Sequence, residues 1–294
     1  MGDIFGSIDM EPGIYQDIPF SDYLQIRAFS KSDIKHLNKS QNHFKIEKEK
    51  PKEVKEAFII GDICDILLTD NKSLGNEYHM LPQFVEYQGR KIAWNGTLKT
   101  CKKIKEEAEN KYPNKIIIPY SWYEEAYNCA EALKNFDMAI EPMQNAIYQE
   151  TIVWIDEETG VKCKGRLDFR NDYCTTDIKT TKDASEKAFQ NDLVKLDYGC
   201  QGAMYQYGLS QLTGEDIKPF AFLCVEKGTY MPVRYFLREE SLAIGLDDAR
   251  KAMLIYKECL ESGKFKGYKS GDIDYPRWKL ASHKDMTGLI PEDY

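Results

Sequence analysis

The element order legible in this 294-residue chain predicts an α/β sandwich on a mixed central sheet. Three observations lead there. A strand pattern at 146–155 is followed by a paired-strand pattern at 163–181 and helical patterns at 184–192 and 195–212. Two further strands, at 219–225 and 230–237, precede an amphipathic helix at 239–262, and the first of them (P-F-A-F-L-C-V) is apolar enough to be central. Upstream, 57–68 (A-F-I-I-G-D-I-C-D-I-L-L) is apolar on most faces, as a helix buried against a sheet is. The expected organisation is one domain over 1–294, with a helical N-terminal elaboration (about 1–145), a core (about 146–262) and a tail (263–294).

In chain order, 10–23 with Pro12, Gly13 and Pro19 reads as an irregular lead-in. Ser30 caps a helix through Ile34 and Leu37, with Asp33 near its start. The mixed-sign run at 45–55 (K-I-E-K-E-K-P-K-E-V-K) suits a solvated segment, either disordered or a mobile lid, better than a phosphate-binding arm. Within the apolar helix, Asp62 and Asp65 stand three apart and share roughly one side, where carboxylates are costly unless paired or bound to metal. Residues 90–110 read as a basic, then mixed-charge helical segment, with Trp94 and Gly96 near its start. Its lysines at 99, 102, 103 and 105 suit a solvated face or phosphate contact. A strong helix then starts at Pro119-Tyr120-Ser121, with Ser121 and Glu124 as a capping box and Trp122, Ala126, Cys129, Ala130 and Leu133 as its apolar stripe.

The stretch at 163–181 reads C-K-G-R-L-D-F-R-N-D-Y-C-T-T-D-I-K-T-T. Its simplest form is a β-hairpin turning at Asn171-Asp172. A two-residue loop sets Arg170 against Tyr173 and Asp168 against Thr175, with Asp177 diagonal to Asp168 on the same face and Lys179 two further along. An odd loop would move one aspartate to the other face. Two carboxylates on one face suit a hard cation such as Mg²⁺ or Mn²⁺, and a neighbouring lysine can orient or deprotonate an attacking water. Downstream, Tyr198, Gln201 and Tyr205 fall at i, i+3 and i+7 on one helix face.

Composition limits the partners. A net charge of -8 argues against a basic coat, while leaving room for positive charge confined to a groove. The eight cysteines never form C-x-x-C and read as small core residues. No apolar run approaches the ~20 residues of a membrane span. The N-terminus has no secretion signal, and Met1-Gly2 with Ser7 misses the myristoylation spacing by one, so the expected compartment is cytoplasmic. No G-x-x-x-x-G-K-[S/T] is present, which argues against an ATP-driven motor.

G-R-L-D, a short gap and D-I-K-T-T resemble the core of the PD-(D/E)XK nucleases, and the run through Asp183-Ala184-Ser185 to Tyr198-x-x-Gln201-x-x-x-Tyr205 is similar to the RecE (exonuclease VIII) branch. Gly13-Ile14-Tyr15 and Ser30-Lys31-Ser32 match that branch's opening. The resemblance implies metal (Mg²⁺ or Mn²⁺) on Asp168, Asp177 and the carbonyl of Ile178, with Lys179 catalytic and Gln201 and Tyr205 at the active site. The branch carries G-x-x-x-H on the upstream helix, its histidine on metal; here Gly61 matches and Asp65 takes the histidine's place as the implied ligand. Glu150, on the strand before the hairpin, is a further implied metal ligand or a plain strand-end glutamate. An iron-sulfur cluster, carried by some relatives, is not expected, because Cys200, Cys224 and Cys259 are too widely separated. The implied activity is 5′ to 3′ exonuclease digestion of linear duplex DNA in phage-type recombination, by a ring-shaped homo-oligomer working with a RecT-like single-strand annealing protein. Two rivals stand beside it: a structure-specific endonuclease of the same fold, and a nucleic-acid-binding protein on a decayed nuclease fold.

Overall fold

The computed structural model describes residues 5–50, 55–69 and 74–281. Met1-Gly2, the 51–54 part of the charged segment and the tail beyond 281 lie outside the described residues. The first half contains β1 (Gly13–Tyr15), α1 (Phe20–Gln25), α2 (Lys31–Leu37), α3 (Gln41–Glu49), α4 (Glu56–Thr69), α5 (Leu74–Glu77), β2 (Tyr78–Met80), β3 (Phe84–Tyr87), β4 (Arg90–Ala93), α6 (Lys99–Lys111), β5 (Ile116–Ile118), α7 (Tyr120–Lys134) and α8 (Asp137–Met143). The second half contains β6 (Ile147–Tyr148), β7 (Thr151–Ile155), β8 (Lys162–Arg166), β9 (Phe169–Arg170), β10 (Thr175–Thr181), α9 (Glu186–Lys195), α10 (Tyr198–Thr213), β11 (Phe220–Glu226), β12 (Pro232–Phe236) and α11 (Glu239–Ser262).

The central sheet is mixed, as the element order predicts. Its strand order is β12-β11-β10-β9-β6, with β10 and β11 parallel and the other neighbours antiparallel. A second sheet, β1-β7-β8, is antiparallel throughout. β8 passes into β9 through a bend at Leu167 and Asp168, so one run of chain serves both sheets. β11 is central and buried on both faces, and its side chains alternate between two cores. Phe220, Phe222 and Cys224 join Met204 and Leu209 of α10 and Met253 and Tyr256 of α11. Leu223 and Val225 join Ile178 of β10 and the apolar faces of α4 and α7, including Ile59, Ile63, Ala126 and Leu133. All eight cysteines are free and buried.

Several local expectations are corrected. The lead-in is β1, paired with β7, followed by α1. The front of the charged run belongs to α3, where Ser40 Oγ accepts the His43 N–H at 3.2 Å and Lys48 pairs with Asp33 at 2.7 Å. The helical reading of 90–110 gives way at its start to a β3–β4 hairpin. Its Gln88 and Gly89 both take positive φ, 51° and 74°, which suits the tight turns that follow strand twist. α7 begins directly after Pro119, whose extended ψ of 145° ends the preceding strand, so Ser121 lies inside the helix and no side chain caps it. The strand at 146–155 is broken into β6 and β7 at Gln149, which has φ 56°. Ser30 does cap α2, its N–H donating to Asp33 Oδ2 at 2.9 Å. Among the described residues no helix is long and apolar enough to cross a membrane.

Helix α10 is held by close approaches that only glycine allows. A Cβ at Gly245 of α11 would stand 2.4 Å from the Gly199 carbonyl oxygen, and one at Gly165 of β8 would stand 2.6 Å from the Tyr205 ring. Backbone cannot step aside as a flexible side chain can. Gly245→Ala is therefore expected to cost about 1–3 kcal/mol, lowering Tm by about 2–4 °C per kcal/mol for a chain of this size. Gly267→Ala, with nothing within 4 Å, should stay within about 0.5 kcal/mol of the parent; thermal unfolding of the two variants checks the contrast.

Candidate active site

The loop between β9 and β10 holds four residues, 171–174, where the sequence suggests two. Asn171 is the cause: its Oδ1 accepts the N–H groups of Tyr173 and Cys174 at 2.9 and 3.0 Å, a side-chain turn that consumes two extra residues. Arg170 consequently pairs with Thr175 and Phe169 with Thr176. The loop stays even, so parity is kept, and the register carried one step further sets Asp168 directly across from Asp177 instead of diagonal to it. The strand bends there and Asp168 Oδ2 accepts the Ile178 N–H at 2.7 Å, replacing the missing ladder bond and fixing that carboxylate beside β10.

Asp177 is 3% exposed, and its two oxygens are engaged from different directions. Oδ1 accepts from Gln201 Nε2 of α10 at 2.5 Å. Oδ2 is ion-paired with Lys179 Nζ. The Lys179 ammonium lies 4.6 Å from the centre of the Tyr198 ring and 5.8 Å from that of Phe222. Burial works against its charge, yet Asp177, with Tyr198 and Asp168 behind it, outweighs burial and holds the ammonium above the usual lysine range.

Asp65 reaches the same place from α4. Gly61, one turn earlier, faces Thr180 of β10, with room for a Cβ 3.6 Å from its hydroxyl. Burial, then Asp168 and Asp177, push the Asp65 carboxyl well above the ordinary range, and its buried Oδ1 has no hydrogen-bond partner among the described residues. Burial and then Asp177 push Asp168 up to about 8. Asp62, by contrast, accepts the Tyr78 hydroxyl at 2.5 Å. Three mutually repelling carboxyls beside one lysine form an environment that favours added positive charge.

Of the other residues singled out by the sequence, Tyr205 is buried over Gly165, close enough for both Asp177 and Asp168 to raise its phenol, although burial contributes most. Glu150 is 2% exposed and gives both oxygens to Arg170, at 2.5 Å to Nε and 3.3 Å to Nη2. Two cations beside the acids went unassigned. Arg166 donates to Gln149 Oε1 at 2.8 Å and to the Ile18 carbonyl at 2.7 Å, and acts on Asp168. Lys31 of α2 lies over the face of Tyr198. Arg166 stands inside the G-R-L-D run, whereas nothing in sequence spacing links Lys31 to residues almost 150 positions away.

Among the described residues no three His, Cys, Asp or Glu side chains are drawn together as a ready-made metal cage. The donor chemistry nevertheless fits a hard cation. Asp65 Oδ1 and Gln201 Oε1 are buried oxygens without a hydrogen-bond partner among the described residues, and Asp177 Oδ2 faces the Lys179 ammonium.

Residues 26–279 match the model of a family described as a PDDEXK-like domain of unknown function. No curated protein matches the chain. Among solved structures, the chain is similar to the "Putative exonuclease" of Eubacterium rectale, with 15% identity, 90% of this chain and 94% of that chain covered, and a TM-score of 0.55. A fainter likeness, to Candida albicans Rai1 in complex with pU5 and Mn²⁺, has 13% identity, covers 84% and 68% of the two chains and has a TM-score of 0.26, too low to carry an argument.

The raised carboxyls fix a pH dependence. Above the ordinary aspartate value the unfolded chain has released protons that folded Asp65 and Asp168 still hold, so stability falls as pH rises from there, the Asp168 part of the fall ending above about 8. In EDTA, Asp65→Asn should give a shallower fall in Tm than the parent. Mg²⁺ at about ten times its Kd should raise the parent by about 1.4 kcal/mol at pH 8, and the variant by less. Melting curves across pH with and without metal check both.

Proposed function

Because the chain belongs to the family of PDDEXK-like domains, we propose that it is a metal-dependent nuclease, acting as one nuclease domain on the phosphodiester bonds of linear duplex DNA. The single observation that carries the reading is the junction of Asp168, Asp177 and Lys179, with Gln201 bonded to Asp177 and Asp65 entering from α4. Asp168, Asp177, the Ile178 carbonyl and Asp65 would hold Mg²⁺ or Mn²⁺. When bound, the cation supplies charge to polarise the phosphate and stabilise the leaving oxygen. Glu150 is left out of that set, because Arg170 occupies both of its oxygens.

Lys179, held as the ammonium, orients the attacking water and stabilises the hydroxide left when the water's proton passes to solvent. Its long side chain is steadied by Tyr198 and Phe222. Gln201 fixes the rotamer of Asp177, and its own Oε1 is buried without a hydrogen-bond partner among the described residues. Tyr205 backs the two aspartates through its contact with β8. Digestion from ends, 5′ to 3′, in recombination, as a ring-shaped oligomer with a single-strand annealing partner, follows the RecE-like motif at 168–205. The intact acid, lysine and glutamine network supports an active enzyme over a decayed binding fold.

Digestion of linear and closed circular duplex DNA tests this. Linear DNA should be lost with Mg²⁺ or Mn²⁺ and spared in EDTA, the closed circle should survive, and Lys179→Ala should slow cleavage by about 10²–10⁴-fold. Cutting of the circle would establish the endonuclease instead, and activity in EDTA would remove the metal from the account.

A further inference from the structure

Lys31 is the first residue of α2, directly after its cap Ser30, and α2 packs on α10 and α11. The backbone that carries it is pinned, since Ser30 donates to Asp33 and Asp33 is paired with Lys48 at 2.7 Å. Its ammonium stands 4.8 Å from the centre of the Tyr198 ring, and Lys179 stands 4.6 Å from the centre of that same ring. Two lysines from distant parts of the chain therefore share one aromatic side chain.

The charged groups acting on Lys31 are Lys179 and, in the opposite sense, Asp177 and Asp197, and none of these acids forms a salt bridge with it. An ammonium in that position is half-buried, beside another cation, and lies over an aromatic face. Burial, followed by Lys179, brings it down to about 8. Such a group is poorly compensated and is stabilised when an anion arrives.

Resting on the nuclease reading above, we propose that Lys31 is a second phosphate-binding cation of this site, which contacts substrate phosphate beside Tyr198. Backbone diester and terminal monoester share the chemistry it recognises, non-bridging phosphate oxygens. Lysine answers this need as a point charge, and an arginine at the same place keeps the positive charge for phosphate oxygens. Lys31 thereby governs binding, while Lys179 serves the attacking water.

Fluorescence anisotropy with a short labelled DNA duplex, in Ca²⁺ without turnover, tests this on the full chain. Lys31→Gln should weaken binding by about 10-fold or more and lower the slope of log K against log salt by about 1, while Lys31→Arg stays within about threefold. In cleavage assays the loss should fall on KM, with kcat held. Equal losses for 5′-phosphate and 5′-hydroxyl duplexes assign a backbone phosphate, and a loss confined to the phosphorylated end assigns a terminal one. Unchanged affinity and salt slope in a folded Lys31→Gln protein would overturn the proposal, as would absence of DNA binding by the parent. Binding without cleavage by the parent would sink the nuclease reading alone, since the anisotropy contrast would still decide on Lys31.

Discussion

Burying like charges is the constraint on which this structure turns. Asp65, Asp168 and Asp177 act on one another inside the protein, with Lys179 as their nearest cation. Desolvating a carboxylate costs several kcal/mol even after relaxation, and repulsion between neighbours adds to that. A chain would not keep such a cluster for stability alone. The raised Asp65 and Asp168 carboxyls record the cost, and Asp65 Oδ1, buried without a hydrogen-bond partner among the described residues, shows where it is left unrelieved.

Much of the surrounding fold serves to hold these groups against their repulsion. The Asn171 turn sets the register that brings Asp168 across from Asp177, and the Ile178 N–H then anchors Asp168 at the bend. The Glu150–Arg170 pair braces β9 from behind. On the opposite side, Gly245 lets α11 touch the backbone of α10 at Gly199, and Gly165 lets Tyr205 lie on β8. These contacts fix α10 closely enough for Gln201 to reach Asp177 at 2.5 Å. The carboxylates thus sit where an antiparallel edge, a parallel strand pair and two helices meet, and each supplies one part of the site.

The sequence made the centre legible and the periphery much less so. Asp168, Asp177 and Lys179 lie within 12 positions, so strand periodicity alone puts them together. Tyr198, Gln201 and Tyr205 declare a helix face by spacing, and the structure sends Gln201 to Asp177 and Tyr205 to the backbone of β8. The apolar run of α4 and the central strand β11 were legible because burial on all sides leaves an unbroken hydrophobic signature. Turn chemistry hid the rest. Asn171 folds two residues into a longer loop, Gln88-Gly89 makes a hairpin in what looks like helix, and Pro119 starts α7 ahead of the serine that resembles its cap. Lys31 was invisible as a site residue because tertiary packing alone, through Tyr198, brings it near Lys179.

The central claim is that the buried carboxylates are held apart from ordinary solvent in order to take a divalent cation. Anomalous diffraction from crystals soaked in Mn²⁺ addresses this most directly. The account predicts a strong peak bonded to Asp168 and Asp177, within reach of Asp65 and the Ile178 carbonyl, with Lys179 released from Asp177 Oδ2. A protein that stays free of Mn²⁺ at these residues in a well-soaked crystal, with the Lys179–Asp177 pair intact, would contradict it.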